Sequence, residues 1–249
     1  MKSSRLIVLT LIAASLGAAD VRAQTARQDS GWLSVNVGSQ GAPTGFTGAT
    51  TFRTNVEDGT VSTNYPFTSA TLFDAGGGVR IWRNLGVGLS VSYFTQKDEL
   101  EVTTKVPHPF FFNQLRTVTG VQAGVERREI GTHIQAVWMI PATTHLQIGL
   151  FGGPSFIAVK QGIVTTVNVT ETYPYDSATF ASADSPLQSR RAGGFHAGVD
   201  GSYLFNQRIG VGGMVRFSRA QTTFALADGG TVTADLGGTQ LAAGLRVRF

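Results

Sequence analysis

The chain has 249 residues, a formal charge of +4, 42% apolar residues, 31 glycines and no cysteine. The missing thiols exclude disulfides, thiolate metal sites and a lipidated cysteine behind a leader. Beyond the N-terminal segment no run is apolar enough for a membrane helix, and no basic cluster suits nucleic acid.

The N-terminus reads as a leader. Lys2 and Arg5 precede an apolar run from Leu6 to Leu16, too short to span a bilayer, and Val21-Arg22-Ala23 offers a cleavage site before Gln24. Residues 1–23 are therefore expected to be a signal peptide and residues 24–249 one domain. Lys2, Arg5 and Arg22 against Asp20 give the leader +2, so the remainder also carries about +2.

Eight segments then alternate with a period of two, the signature of strands with two different faces. Leu33, Val35 and Val37 oppose Ser34 and Asn36 in the first, Trp32 to Gly38. The second, Thr71 to Trp82, sets Phe73, Ala75, Val79 and Ile81 against Gly76, Gly78 and Arg80. After the turn Arg83-Asn84, the third runs from Leu85 to Gln96, with Gly and Ser on its polar face. The fourth, Arg128 to Ile140, puts Glu129, Gly131, His133 and Gln135 on one face. The fifth, His145 to Lys160, contains Gly152-Gly153-Pro154, which predicts a bulge or bend. The sixth is Gly193 to Phe205 and the seventh Arg208 to Arg219. The eighth, Gln240 to Phe249, carries Leu241, Ala243, Leu245, Val247 and Phe249 on its apolar face.

Connections of a few residues alternate with long ones, at about Ser39 to Ala70, Lys97 to Arg127 and Gln161 to Arg191, and a shorter one at Ala225 to Asp235. This pattern is that of an all-β, eight-stranded antiparallel up-and-down transmembrane β-barrel, with short periplasmic turns and long extracellular loops. A lipocalin-like soluble barrel shares the period but points its apolar face inward. Three features favour apolar-outward packing. The polar face is rich in Gly and Ser, which suit a narrow interior. The other face would be a large apolar patch in water. Finally, Trp82, Trp138, Phe205 and Phe249 mark strand ends as an interfacial girdle would, although Trp82 sits on the inward parity. On this orientation Leu245→Arg is expected to cost about 2–4 kcal/mol and lumenal Gln240→Arg much less.

The terminal run Leu245-Arg246-Val247-Arg248-Phe249 resembles the assembly signal of Gram-negative outer-membrane proteins, with Leu245, Val247 and Phe249 as the signal residues. The run from Gly193 to Asp200 and on through Arg208 to Ser218 is similar to the glycine-rich hairpin of small OmpA-like or opacity-type barrel domains. The resemblance implies an outer-membrane location, contact with lipid and lipopolysaccharide, recognition of the C-terminal strand by the barrel-assembly machinery, and a monomer.

The inward parity collects Arg80, Glu129, His133, Asp200, Arg216, Arg246 and Arg248. These are expected to form a paired lumenal network, with Asp200 and Arg216 bridging one hairpin. An arginine-rich lumen also suggests a narrow, weakly anion-preferring passive pore for small solutes. His133, His145 and His196 are the histidines a hydrolase would need, but they show no nucleophile–base spacing, and no cofactor or metal motif appears. Phe110-Phe111-Phe112 and Tyr173-Pro174-Tyr175 sit in the long connections, where a surface adhesin would carry recognition. The expected role is structural or surface interaction, without catalysis.

Overall fold

The computed structural model describes residues 30–41, 45–66 and 68–249. The leader and its cleavage site lie outside the described residues. The described residues form twelve strands: β1 (Gly31–Gln40), β2 (Phe46–Thr54), β3 (Glu57–Tyr65), β4 (Ala70–Trp82), β5 (Leu85–Pro107), β6 (Leu115–Pro141), β7 (Leu146–Gly162), β8 (Thr166–Glu171), β9 (Ala178–Asp184), β10 (Leu187–Leu204), β11 (Ile209–Ala225) and β12 (Thr231–Arg248).

Eight of them close a ring of antiparallel neighbours in the order β1, β4, β5, β6, β7, β10, β11, β12, with β12 returning to β1 from Trp32–Arg248 to Gln40–Gln240. The closure places Phe249 beside Gly31, whose backbones exchange two hydrogen bonds of 2.9 and 3.1 Å. Within this ring the apolar parity points outward as expected. On β11, Ile209, Val211, Val215 and Phe217 are exposed, whereas Gly210, Met214, Arg216 and Ser218 are buried. The run from Ile209 to Phe217 matches the roughly 9–11 residues that a tilted strand needs to cross a bilayer.

Two departures from strict alternation have local causes. The β4–β5 register shifts between Arg80 and Trp82, so Ile81 is an extra residue and Trp82 turns outward with 66% of its surface exposed. The bulge thereby restores Trp82 to the aromatic girdle that simple parity denied it. The second bulge lies opposite Glu99, where β6 inserts a residue at Ala123-Gly124 and Gly124 takes φ 76°, a conformation suited to glycine. The bulge expected at Gly152-Gly153-Pro154 does not form. The register of β7 is unbroken against β10, and against β6 it keeps the same offset from His133–Ser155 to Ala136–Gly152. Only the rungs opposite Pro154 and Gly153 are lost, because proline has no N–H to give.

The long connections differ most from expectation. Much of what reads as loop is strand. β2 and β3 form a hairpin from residue 46 to 65 and β5 and β6 continue to Pro107 and from Leu115, while β8 and β9 make a separate hairpin. β3 takes over from β4 as the neighbour of β5 at Thr60–Lys105 to Asn64–Glu101. The reason these strands are hard to see is that their apolar parity is reversed. On β5, Lys97, Glu99, Glu101 and Lys105 face out while Leu100, Val102 and Val106 are buried. Of these, Leu100 and Val102 join Tyr65, Val125, Ile157, Phe224 and Leu236 in an apolar core.

This upper wall has a seam. Among the described residues β2 pairs only with β3, and β12 above Gly238 pairs only with β11. The top of the seam is latched by Asp228, which accepts from Thr51 N at 3.0 Å and whose own N–H donates to Thr50 Oγ1 at 3.2 Å. Backbone N–H groups of Gly230 and Thr51 hold the Asp228 carboxyl below the usual carboxylate range.

Candidate functional site in the lumen

The inward parity of the membrane ring gathers polar side chains from every strand, and they stack in levels along the lumen. At the level nearest the short turns, Arg246 on β12 grips Asp200 on β10 with Nε and an Nη, and gives its other Nη to Asn36 Oδ1 at 2.5 Å. Arg248 donates to Gln147 and to Ser202 Oγ. One level up, Arg216 donates to Asp74 Oδ2 at 2.7 Å, Ser90 Oγ at 3.0 Å and Gln240 Oε1 at 2.5 Å. Asn36 Nδ2 reaches Asp74 Oδ1 at 2.9 Å, so Asn36 ties the two ion pairs together.

Above Arg216 lies a relay of hydroxyls and imidazoles. Ser92 Oγ is 3.0 Å from His133 Nε2, His133 Nδ1 is 2.8 Å from Ser155 Oγ, and Ser155 Oγ is 2.9 Å from His196 Nδ1. At the top, Glu129 accepts from Arg127 Nε at 2.8 Å, from Gln40 Nε2 at 3.2 Å and from Gly237 N at 3.1 Å. Gln240 donates to Gln40 Oε1 at 2.7 Å and so joins this level to the arginine level.

The expected pair of Asp200 with Arg216 is not formed. In the β10–β11 register Arg216 faces Gly198, and Asp200 faces Met214. Each charge instead crosses the lumen, Arg216 to β4 and Asp200 to β12. Distance between strands is short in an eight-strand ring, so a partner across the lumen competes well with a diagonal neighbour. Glu129 and His133 share a face but not a bond, and each belongs to a different level. Arg80 lies apart from the ion pairs, with one Nη 3.5 Å from Met139 Sδ.

Asp74, Asn36, Gln40, Gln240 and Arg127 are members that sequence reasoning left out of the network. Asp74 shares the even parity of Arg80, and Asn36 and Gln240 are on polar faces already marked, so the signal for those three was present. Arg127 falls in a stretch read as loop. Two of the three candidate histidines, His133 and His196, are buried inside the lumen. His133 is fully buried, Ser155 likewise, and the third candidate, His145, is at a turn with Nδ1 on Leu204 O at 3.1 Å. No group of three or more metal-ligating side chains forms among the described residues. Chemically, the pairs Arg216–Asp74, Arg246–Asp200 and Arg127–Glu129 neutralise one another and fill the lumen.

No protein-family model matches the chain, and no curated protein sequence matches it. Solved structures do resemble it. The outer membrane protein OprG from Pseudomonas aeruginosa aligns with a TM-score of 0.51 at 10% identity, over 89% of this chain and 97% of that one. The outer membrane protease OmpT from Escherichia coli gives 0.49 at 7% identity, over 92% and 99%. Neisserial surface protein A gives 0.44 at 10% identity, over 88% and 97%. The likeness to OprG at this identity speaks to the fold alone, and that fold is the outer-membrane β-barrel.

Proposed function

We propose that this chain is an integral outer-membrane protein whose barrel is a sealed scaffold that carries an interaction surface, without catalysis. The carrying observation is the double closure of the lumen, first by the polar column and then by the apolar core of Leu100, Val102, Phe224 and Leu236. Two different kinds of packing in series leave a solute no continuous wet path. On this reading the short turns face the periplasm, the leader is removed, and the exposed belt meets lipid with lipopolysaccharide above it. Leu245 and Val247 on β12, and Phe249 just beyond its end, are exposed on the lipid side, where the assembly machinery would read them. The barrel works as a monomer.

The far end supports the interaction role. Phe110, Phe111 and Phe112 are exposed at the β5–β6 tip, held by His108, whose Nδ1 accepts from the N–H groups of Phe110 and Phe111 at 3.1 and 3.2 Å. Arg116 braces the same tip through Pro107 O and Tyr175 O, each at 2.9 Å, and through Glu171. A rigid scaffold that presents aromatic side chains is a common basis of recognition.

Planar-bilayer recording on the refolded protein tests the scaffold reading, with electrical silence as the expected result. A steady unit conductance with anion preference would replace it with the passive-pore reading. Deletion of residues 107–112 is expected to weaken cell-surface binding while leaving the barrel folded.

A further inference from the structure

The geometry points to an oxyanion-binding site in the lower lumen, built around Arg80 and entered from the short-turn rim. A cavity of about 80 Å³ lies between the polar column and that rim, where Gly31, Trp32 and Arg248 line it. That is room for several waters or for one phosphate-sized anion. Its charged lining is unbalanced. Three arginines, Arg80, Arg216 and Arg246, face two carboxylates, Asp74 and Asp200. Both carboxylates are already taken, Asp74 by Arg216 at 2.7 Å and Asp200 by Arg246.

Arg80 is where the imbalance becomes specific. Among the described residues it makes no ion pair, its Nε is buried without a hydrogen-bond partner, and its only side-chain contact of that kind is the thioether of Met139 at 3.5 Å. A sulfur is a weak acceptor, so the guanidinium has no strong acceptor among the described side chains and its Nε–H has none at all. Arg80 is half-buried at this cavity, and an oxyanion that takes two parallel N–H donors is the match a guanidinium fits best. The Arg80 backbone N–H donates to Ser30 O at 2.9 Å, which fixes the point from which the side chain enters the lumen. Trp32 covers the neighbouring wall by lying over Gly78 and Gly86, where any Cβ would fall within 2.7 Å of its ring. The ligand class is therefore a small oxyanion such as phosphate or a carboxylate, held at Arg80 on the open side of the sealed column. This site is independent of the interaction role of the far end, and it needs no conduction through the barrel.

The test is isothermal titration of inorganic phosphate into the refolded protein in zwitterionic detergent, against chloride at equal ionic strength. The expected result is saturable phosphate binding that Arg80→Gln weakens by about ten-fold or more, the scale of losing a charge-assisted hydrogen bond. Met139→Glu supplies an internal carboxylate where the sulfur sits. It is expected to abolish phosphate binding in a barrel that still folds, which keeps the proposal testable if Arg80→Gln does not. No saturable binding to the parent protein, or parental affinity in Met139→Glu, would overturn it.

Discussion

Below Ser218 on β11 the outward side chains are apolar and the inward ones, Met214 apart, are small or polar; above it the assignment reverses, with Arg219, Gln221 and Thr223 outside and Ala220 and Phe224 inside. The same reversal crosses β5 between Tyr93 and Lys97, and β12 between Leu241 and Asp235. One strand therefore lives in two solvents. In hydrocarbon the backbone must be satisfied within the barrel and the apolar face is exposed, so stability comes from polar groups that bond one another across the lumen. In water the ordinary hydrophobic effect returns, and the upper half packs like a soluble β-protein. The switch level marks the upper border of the belt more sharply than the aromatic girdle marks the lower one.

The comparison breaks hardest at Asp74. Removing one partner of a buried pair leaves the other charge stranded, so Asp74→Ala is expected to destabilise the barrel by about 3–5 kcal/mol in urea unfolding from lipid vesicles. Arg216, with 1% of its side chain exposed, has no water to turn to. A loss under 1 kcal/mol would mean that the polar column is filler rather than the core of the lower half.

The outward faces give the next largest effect. Leu245 lies mid-belt between Val35 and Val211, and Leu245→Arg is expected to cost about 2–4 kcal/mol. Thr223→Arg, outward on the upper half, is expected to stay within about 0.5 kcal/mol. Equal losses would mean that the two halves share one solvent. Gln240→Arg no longer serves as the mild lumenal control, because Gln240 Oε1 accepts from Arg216 and the substitution would set two guanidinium groups together.

Which of these features the sequence exposes follows from the same reversal. The eight belt segments are legible because their parity is continuous, and the inward Arg216, Asp200, Arg246 and Glu129 fall out of it directly. Pairing is not legible, since Asp200 is close in sequence to Arg216 yet bonds Arg246 across the lumen. The upper strands are hidden because an alternation that changes phase resembles a break. Glu99, Glu101 and Lys105 look like loop polarity until Leu100, Val102 and Val106 are seen to share the other face. The Trp82 bulge is likewise invisible to a period-two reading.

The upper core carries its own pH signature. Tyr65 is buried there, its hydroxyl accepting from Val164 N at 2.8 Å, and desolvation raises its phenol above the ordinary value. The folded chain thus keeps a proton that the unfolded chain gives up near pH 10. The stability from this group is complete below that pH and falls as pH climbs above it. Tyr65→Phe is expected to remove this alkaline slope. It also costs about 1–3 kcal/mol at neutral pH, because Val164 N loses its acceptor. An unchanged slope would place the alkaline sensitivity elsewhere.

The smallest effect is expected at the seam, where the upper wall has side-chain contacts in place of a ladder. Asp228 is exposed, so its latch to Thr50 and Thr51 competes with water and contributes little to global unfolding. Its carboxyl is held low in the folded state, so the contribution is present above the ordinary carboxylate range and is lost as pH falls through the folded value. Asp228→Ala is therefore expected to speed hydrogen exchange at the Thr51 amide while the urea midpoint stays put, and acidification of the parent protein should reproduce the same local change. A fall in the midpoint comparable to that of Asp74→Ala would mean that the seam, not the polar column, is what keeps the ring closed.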